Sequence, residues 1–401
     1  MSLLLVTVVA LARGYRGHDP DRDLHALLQE GLRWARSGDW EHVRVLAGRL
    51  SDSPDGGRAA ELLFALESLE HGHPRRALRQ LPVPGQDARV DAAAWPVRTD
   101  ALYRLGHLRE AEQVVRGQLA GSPENPLVHR WLAIIYYDLG AMDPAVRALR
   151  TLTDLRPDDA SPHFMLGRIF DDYERFTEAV TAWQEFLALA PGEDPRREEA
   201  LLRLANGRMR LRDYRGALEP LAVAAPTGDS LGRIAECQWN LGLRDEAAQT
   251  LDEARQSGLA GPRLKLVRSQ IALETQKYDV AVELLSAVVD EEPHNLQARH
   301  LLAQACSHLG DEEAAAAARD RYRESERLLN ELAELHRTAV LDVWNAELRD
   351  RLAELCRELG RPQLAAMWRQ AADACRRREA DPRRADGAVR HTGPAAGVPW
   401  V

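Results

Sequence analysis

The chain has 401 residues, 45% of them hydrophobic and 29% charged, which excludes a disordered or largely membrane-embedded polypeptide. Its formal net charge of −9 gives no ground for expecting a nucleic-acid partner. Lys265 and Lys277 are the only lysines among 53 basic residues, a bias that reflects a GC-rich, bacterial genome rather than a phosphate-binding surface.

In chain order, residues 1–23 come first. Leu3 to Ala12 form an apolar run followed by Arg13 and Arg16. The run is about half the roughly 20 residues that a membrane-spanning helix needs. It lacks a basic stretch ahead of it, although Ala10-Leu11-Ala12 has the small-x-small form of a cleavage site. Two readings stand: a weakly packed end, or the remnant of a targeting or anchoring segment that would tether the protein to a membrane.

From residue 24 onward a repeat takes over. The motif Gly-x-x-x-x-Ala joins a turn glycine to an alanine on the next helix, as in Gly72…Ala77, Gly106…Ala111, Gly140…Ala145, Gly242…Ala247, Gly310…Ala315 and Gly360…Ala365. The alanines at 77, 111, 145 and 179 are 34 residues apart, and so are those at 247, 281 and 315. One period before Ala77 stands Val43, preceded by Gly38; Ala217 comes four residues late, and the interval from Ala315 to Ala365 holds 16 extra residues. An independent column supports the register. Twelve residues before each alanine (or Val43) stand Gly31, Ala65, Thr99, Ala133, Gly167, Ala205, Ala235, Ser269, Ala303 and Ala353, all small enough for helices to cross closely. Pro123, Pro157, Pro191 and Pro293 sit where second helices should stop. Large apolar residues, among them Leu149, Trp183 and Leu285, fill the position four after the alanine.

These columns resemble the tetratricopeptide-repeat family, whose period is 34. The fullest match is His163…Leu166-Gly167…Phe170…Ala179…Trp183…Pro191, with a histidine in the usual tryptophan seat; Trp95, Tyr136 and Ala145 match elsewhere. The resemblance covers residues 24–379 and implies an all-α, right-handed α-solenoid of about ten helix hairpins. Their starts are predicted near 24, 58, 92, 126, 160, 198, 228, 262, 296 and 346. The first two pairs and the one around Ala217 are degenerate; Pro82 and Pro84 should shorten the second helix of the second pair.

The insertion near residues 330–345 follows Leu328, Leu332 and Leu335 at helical spacing with no proline, so the helix before it should run on. Val340, Leu341, Val343 and Trp344 add apolar surface just beyond. The extension serves either to shield the core or as a docking surface. Residues 380–401 read as a mildly basic, disordered tail.

Sites for chemistry are absent from the pattern. No GxxxxGK[ST], GxGxxG or HExxH occurs, and Cys237, Cys306, Cys356 and Cys375 form no CxxC pair. His71 and His73 flank a turn glycine, and the carboxylate pairs Asp158-Asp159 and Asp171-Asp172 are explained by helix ends. No catalytic residue, metal or cofactor is expected. The leading reading is a scaffold that binds a partner protein or peptide. The alternatives are a membrane-tethered envelope assembly factor and an enzyme of unrecognised type; nothing in the sequence sets the partner or the oligomeric state.

The resemblance implies that the first helix of each pair lines a concave groove. Carried over position by position, that face would show Tyr103, Arg130, Tyr137, Phe164, Arg168, Asn206, Trp239 and Asn240. Arg104, Ile134, Asp172, Met209, Arg210 and Gln270 would stand among them. About half of this face should turn out buried, since one residue of register is about 100° of helix rotation. Arg130, Phe164 and Arg168 should share one wall, where two guanidinium groups beside an aromatic suit an extended, acidic partner. The chaperone-binding subclass of the family uses a lysine and asparagine clamp. Asn206 alone matches it in type, so that role is not carried over.

Overall fold

A computed structural model describes residues 20–376 except 343, and among the described residues it contains twenty helices and no strand. The apolar run Leu3–Ala12, Val343 and the tail from 380 lie outside the described residues. The helices form ten consecutive pairs, divided between two compact units that meet in sequence at Pro123 and Glu124.

The N-terminal unit holds three pairs: α1 (Pro20–Arg36) with α2 (Trp40–Ser51), α3 (Gly57–Glu70) with α4 (Pro74–Gln80), and α5 (Ala88–Arg104) with α6 (Leu108–Gly121). Its core joins Leu28, Leu46, Leu62, Leu63 and Val90, with Trp34 and Trp40 packed against it half-buried. Helix α4 is the short one, and Pro82 and Pro84 follow its end.

The C-terminal unit holds seven pairs. They are α7 (Pro126–Asp138) with α8 (Met142–Leu155), α9 (Ala160–Asp172) with α10 (Phe176–Leu189), α11 (Arg197–Arg210) with α12 (Tyr214–Leu221), and α13 (Gly228–Asn240) with α14 (Arg244–Gln256). Then follow α15 (Pro262–Glu274) with α16 (Tyr278–Glu291), α17 (Leu296–His308) with α18 (Glu312–Leu341), and α19 (Ala346–Glu358) with α20 (Pro362–Arg376).

The pairs form for local reasons. First helices open on side chains that accept a backbone N–H: Asp87, Asn125, Asp159, Thr227, Asn295 and Asn345. They close on a residue in the left-handed region, such as Gly140 at φ 66°. Three pairs have no glycine there. Glu174, Arg212 and Gln276 take the same turn at φ 54°, 61° and 59°, which is why the Gly-x-x-x-x-Ala motif fails in those pairs although the fold does not. Where the helices of a pair cross, both small columns are buried: Ala133 against Ala145, Ala205 against Ala217 and Ala235 against Ala247 in register, with Ala179 fully enclosed opposite Gly167.

Helix α18 spans 30 residues, about 45 Å of rise. Its second half is not left in solvent. Leu328, Leu332 and Ala339 join Leu352, Leu355, Trp368 and Ala371 of the last pair in one core cluster. The last pair also returns to the beginning of the same unit, where α20 packs on α7. The buried Arg349 guanidinium donates through Nε to the Leu139 carbonyl at 2.9 Å, and through Nη1 to the carbonyls of Asp342 and Asn345, each at 3.0 Å. Gly140 lies so close under the Trp368 ring that a Cβ there would overlap it. No described helix is long and apolar enough to cross a membrane.

Candidate functional site

Each first-helix position named from the sequence occupies a definite place. In the N-terminal unit, Tyr103 is half-buried on α5. In the C-terminal unit, Phe164 on α9 is 4% exposed, so it belongs to the core. Its ring meets Trp183 edge-on at 5.2 Å and Phe186 at 5.1 Å, and the Arg196 guanidinium lies 5.4 Å from its centroid. Tyr137 is likewise buried, and desolvation pushes its phenol up to about 12 against the pull of Arg168.

The polar positions are mostly engaged with neighbouring pairs. Arg130 Nη2 bonds Asp159 Oδ2 at 2.7 Å, while the other oxygen of that carboxylate caps α9 by accepting from Ser161 N–H. Asn206 Oδ1 accepts from Arg233 Nη1 at 3.1 Å. Arg263 spans to Glu236 at 2.8 Å and to Asp229 at 3.2 Å. First helices of successive pairs are therefore joined by guanidinium bridges. Trp239 is half-buried under the Arg244 guanidinium, 3.7 Å from its ring centroid, and Arg244 in turn donates to Glu274 at 3.0 Å. Asn240 is exposed and donates to its own helix, at the Glu236 carbonyl.

Arg168 stands apart. It is half-buried beside Tyr137 and Asp172, close enough to pull the Asp172 carboxyl down against the burial that raises it. Its guanidinium makes no hydrogen bond or ion pair with any described residue. The two arginines expected to act together thus differ in state: Arg130 is held by Asp159, and Arg168 keeps its donors.

A second constellation lies where the last pair meets the turns of earlier ones. A cavity of about 290 Å³ is lined by Met142, by Asp171 to Glu174 and Phe176, by Asn206 and Arg210, and by His336, Arg361, Leu364, Met367 and Trp368. Tyr173 stacks on His336 at 5.3 Å, and His336 lies 5.5 Å from Trp368. Burial pushes Asp171 up to about 6, although the Trp183 indole N–H donates to its Oδ2 at 3.0 Å; burial also pushes His336 down to about 4, with Arg361 adding to the fall. Repeat position names Asp172, Asn206 and Arg210 as groove-facing. It misses His336, Arg361 and Trp368, which only the returning last pair brings here. The one hint in the sequence is the 16-residue excess before Ala365.

Nothing in either constellation has the form of a nucleophile with its base. The four cysteines are buried, and burial pushes Cys237 up to about 12 and Cys356 to about 11, far from a reactive thiolate. No group of three or more His, Cys, Asp or Glu among the described residues could hold a metal ion.

Paired antiparallel helices joined by bridging side chains define an all-α helical-repeat solenoid of the scaffold class. The tetratricopeptide-repeat profile matches residues 101–169, and with the period of 34 and the ten pairs the chain is a protein of the tetratricopeptide-repeat type. A second profile, alkyl sulfatase dimerisation, matches residues 254–332. Comparison with curated proteins gives no significant match. Among solved structures, the chain is similar to the APC/C hetero-tetramer Cut9-Hcn1 at 15% identity and a TM-score of 0.38, covering 82% of this chain and 64% of that one, less than two thirds of its length. It is also similar to MamA from MSR-1 (20% identity, TM-score 0.34, 41% of this chain and 91% of that one). A tetratricopeptide repeat protein from Parabacteroides merdae aligns at 14% identity and a TM-score of 0.36, over 71% of this chain and 99% of the other.

Proposed function

We propose that this interaction scaffold is non-enzymatic and that it holds an extended, acidic segment of a partner protein along the first-helix face of its C-terminal unit. The observation that carries the reading is Arg168: a half-buried guanidinium next to Tyr137 with its donors uncommitted, on a face where neighbouring arginines are bridged. A planar guanidinium beside an aromatic takes a carboxylate bidentately. Asn240 and the rim of Trp239 extend the same face toward α13. The test is quantitative capture from the source cell with wild type, Arg168→Glu and the exposed control Arg212→Glu. Charge reversal at 168 should deplete a specific set of acidic partners, and reversal at 212 should not. Equal capture by all three proteins would refute the assignment. The envelope-tether alternative rests on the apolar run Leu3–Ala12, which lies outside the described residues.

A second reading has its own observation. The stretch matched by the dimerisation profile carries Leu309 at 51% exposure and Val280 at 39%. Self-association through it would appear in light scattering as a dimer that Leu309→Glu dissociates.

A further inference from the structure

The cavity between the last pair and the turns of α7–α8 and α9–α10 shares Asp172, Asn206 and Arg210 with the first-helix face, but its other walls come from the last two pairs and its chemistry is specific. Arg210 and Arg361 line it, and neither guanidinium makes a hydrogen bond or ion pair with any described residue, although Arg210 stacks on Phe176. The Trp368 indole N–H is buried without an acceptor. Of Asp171, only 5% of the side chain is exposed; its Oδ1 is buried and accepts nothing, and its Oδ2 lies 3.8 Å from Arg203. Buried polar atoms without partners are rare in native proteins and call for an explanation.

The charges choose among ligands. Asp171, Asp172 and Glu174 share the lining with Arg210 and Arg361, so its charges differ by one. A phosphate dianion would meet three carboxylates, and a polycation would meet two guanidinium groups. A molecule with one group of each sign leaves the balance unchanged while supplying an acceptor to the arginines and a donor to Asp172. Met142, Leu364 and Met367 add apolar wall. The volume of about 290 Å³ stands at the small end of small-molecule sites, which run from roughly 300 Å³ upward, too small for a nucleotide cofactor. We infer that this cavity binds a zwitterion of amino-acid size with an apolar side chain, its carboxylate held by Arg361 and Arg210 and its ammonium by Asp172. Because the walls come from α9–α11 on one side and α18 and α20 on the other, the bound ligand braces the return of the last pair.

The test uses the full chain in calorimetry with L-leucine, L-methionine and L-phenylalanine, each beside its amide and its N-acetyl form. At least one free amino acid should bind saturably, with either capped form weaker by about tenfold or more. Arg361 is exposed, so Arg361→Ala should weaken binding by a similar factor without shifting the ligand-free melting temperature; Arg210→Ala, at a second exposed site, should do the same. Failure of all three amino acids to bind up to about 10 mM would overturn the inference. So would equal binding of the capped forms, which would make the site merely apolar. Binding of the amides alone would assign the ammonium to a peptide N-terminus and overturn the zwitterion. Wild-type affinity in both arginine variants would also sink it. None of these readouts involves a protein partner, so they stand apart from the scaffold reading.

Discussion

Gly167→Ala sets two known effects against each other at one atom. In a helix interior, alanine is favoured over glycine by about 1 kcal/mol. On α9, however, a Cβ at position 167 would stand 2.6 Å from Cδ2 and Cε2 of Trp183 and 2.9 Å from Cζ2. Carbon atoms in good contact are about 3.5–4.0 Å apart, so the ring must move by about 1 Å. It has nowhere to go: Trp183 is fully buried, meets Phe164 edge-on and is tied through Nε1 to Asp171 at 3.0 Å. Overpacking of this kind costs about 1–3 kcal/mol, and the fixed ring places it near the top of that range. The net expectation is a loss of about 1–2 kcal/mol, or a fall in melting temperature of roughly 2–8 °C for a unit of this size. Thermal unfolding followed by circular dichroism measures it. Gly192→Ala is the control, since a Cβ there meets nothing within 4 Å. An unchanged or raised melting temperature for Gly167→Ala would show that the α9–α10 crossing is not set by the glycine, and the register argument would fall with it.

Arg349→Met should remove the hydrogen bonds to the buried Leu139 carbonyl and to the part-buried carbonyls of Asp342 and Asn345, costing about 2–4 kcal/mol; hydrogen exchange should rise in α20 and at residues 139–142 before it rises elsewhere, and uniform protection would refute the docking role. Gln276→Gly should stabilise by up to about 1 kcal/mol, because position 276 sits at φ 59° and is exposed, so relief of backbone strain exceeds the freedom that glycine adds to the unfolded chain; a lower urea midpoint would contradict it. The acid response of Asp171 has a definite sign. Its folded pKa is raised to about 6 from the ordinary 3.8 by burial, with Asp172 and Glu199 adding and Arg203 opposing, so its contribution to stability is present at low pH and lost as pH rises through about 6. Asp171→Asn should therefore melt above wild type at pH 7.5, and the gap should narrow as pH falls below about 6 and close near the ordinary value of 3.8; a gap that widens on acidification would reverse the assignment.

Repeat architecture was legible because it is local. The spacing of 34, the two small columns and the helix-stopping prolines each constrain residues within one pair, and the ten pairs follow from them. Even the turns without glycine kept the pattern, since Glu174, Arg212 and Gln276 can take the left-handed conformation at a modest cost. The groove face was legible only as a set of positions. Repeat position tells which side of a helix a residue occupies; it does not tell whether Phe164 turns toward Trp183 and Phe186, or that Asp159 is within reach of Arg130. Those outcomes depend on rotamers and on the neighbouring pair. The return of the last pair was out of reach altogether. Arg349 and Leu139 are 210 residues apart, more than six repeat periods, and their contact results from the accumulated rotation of the pairs between them. No single pair encodes that sum, so the cavity shared by Asp171, His336 and Trp368 was decided by the tertiary structure alone.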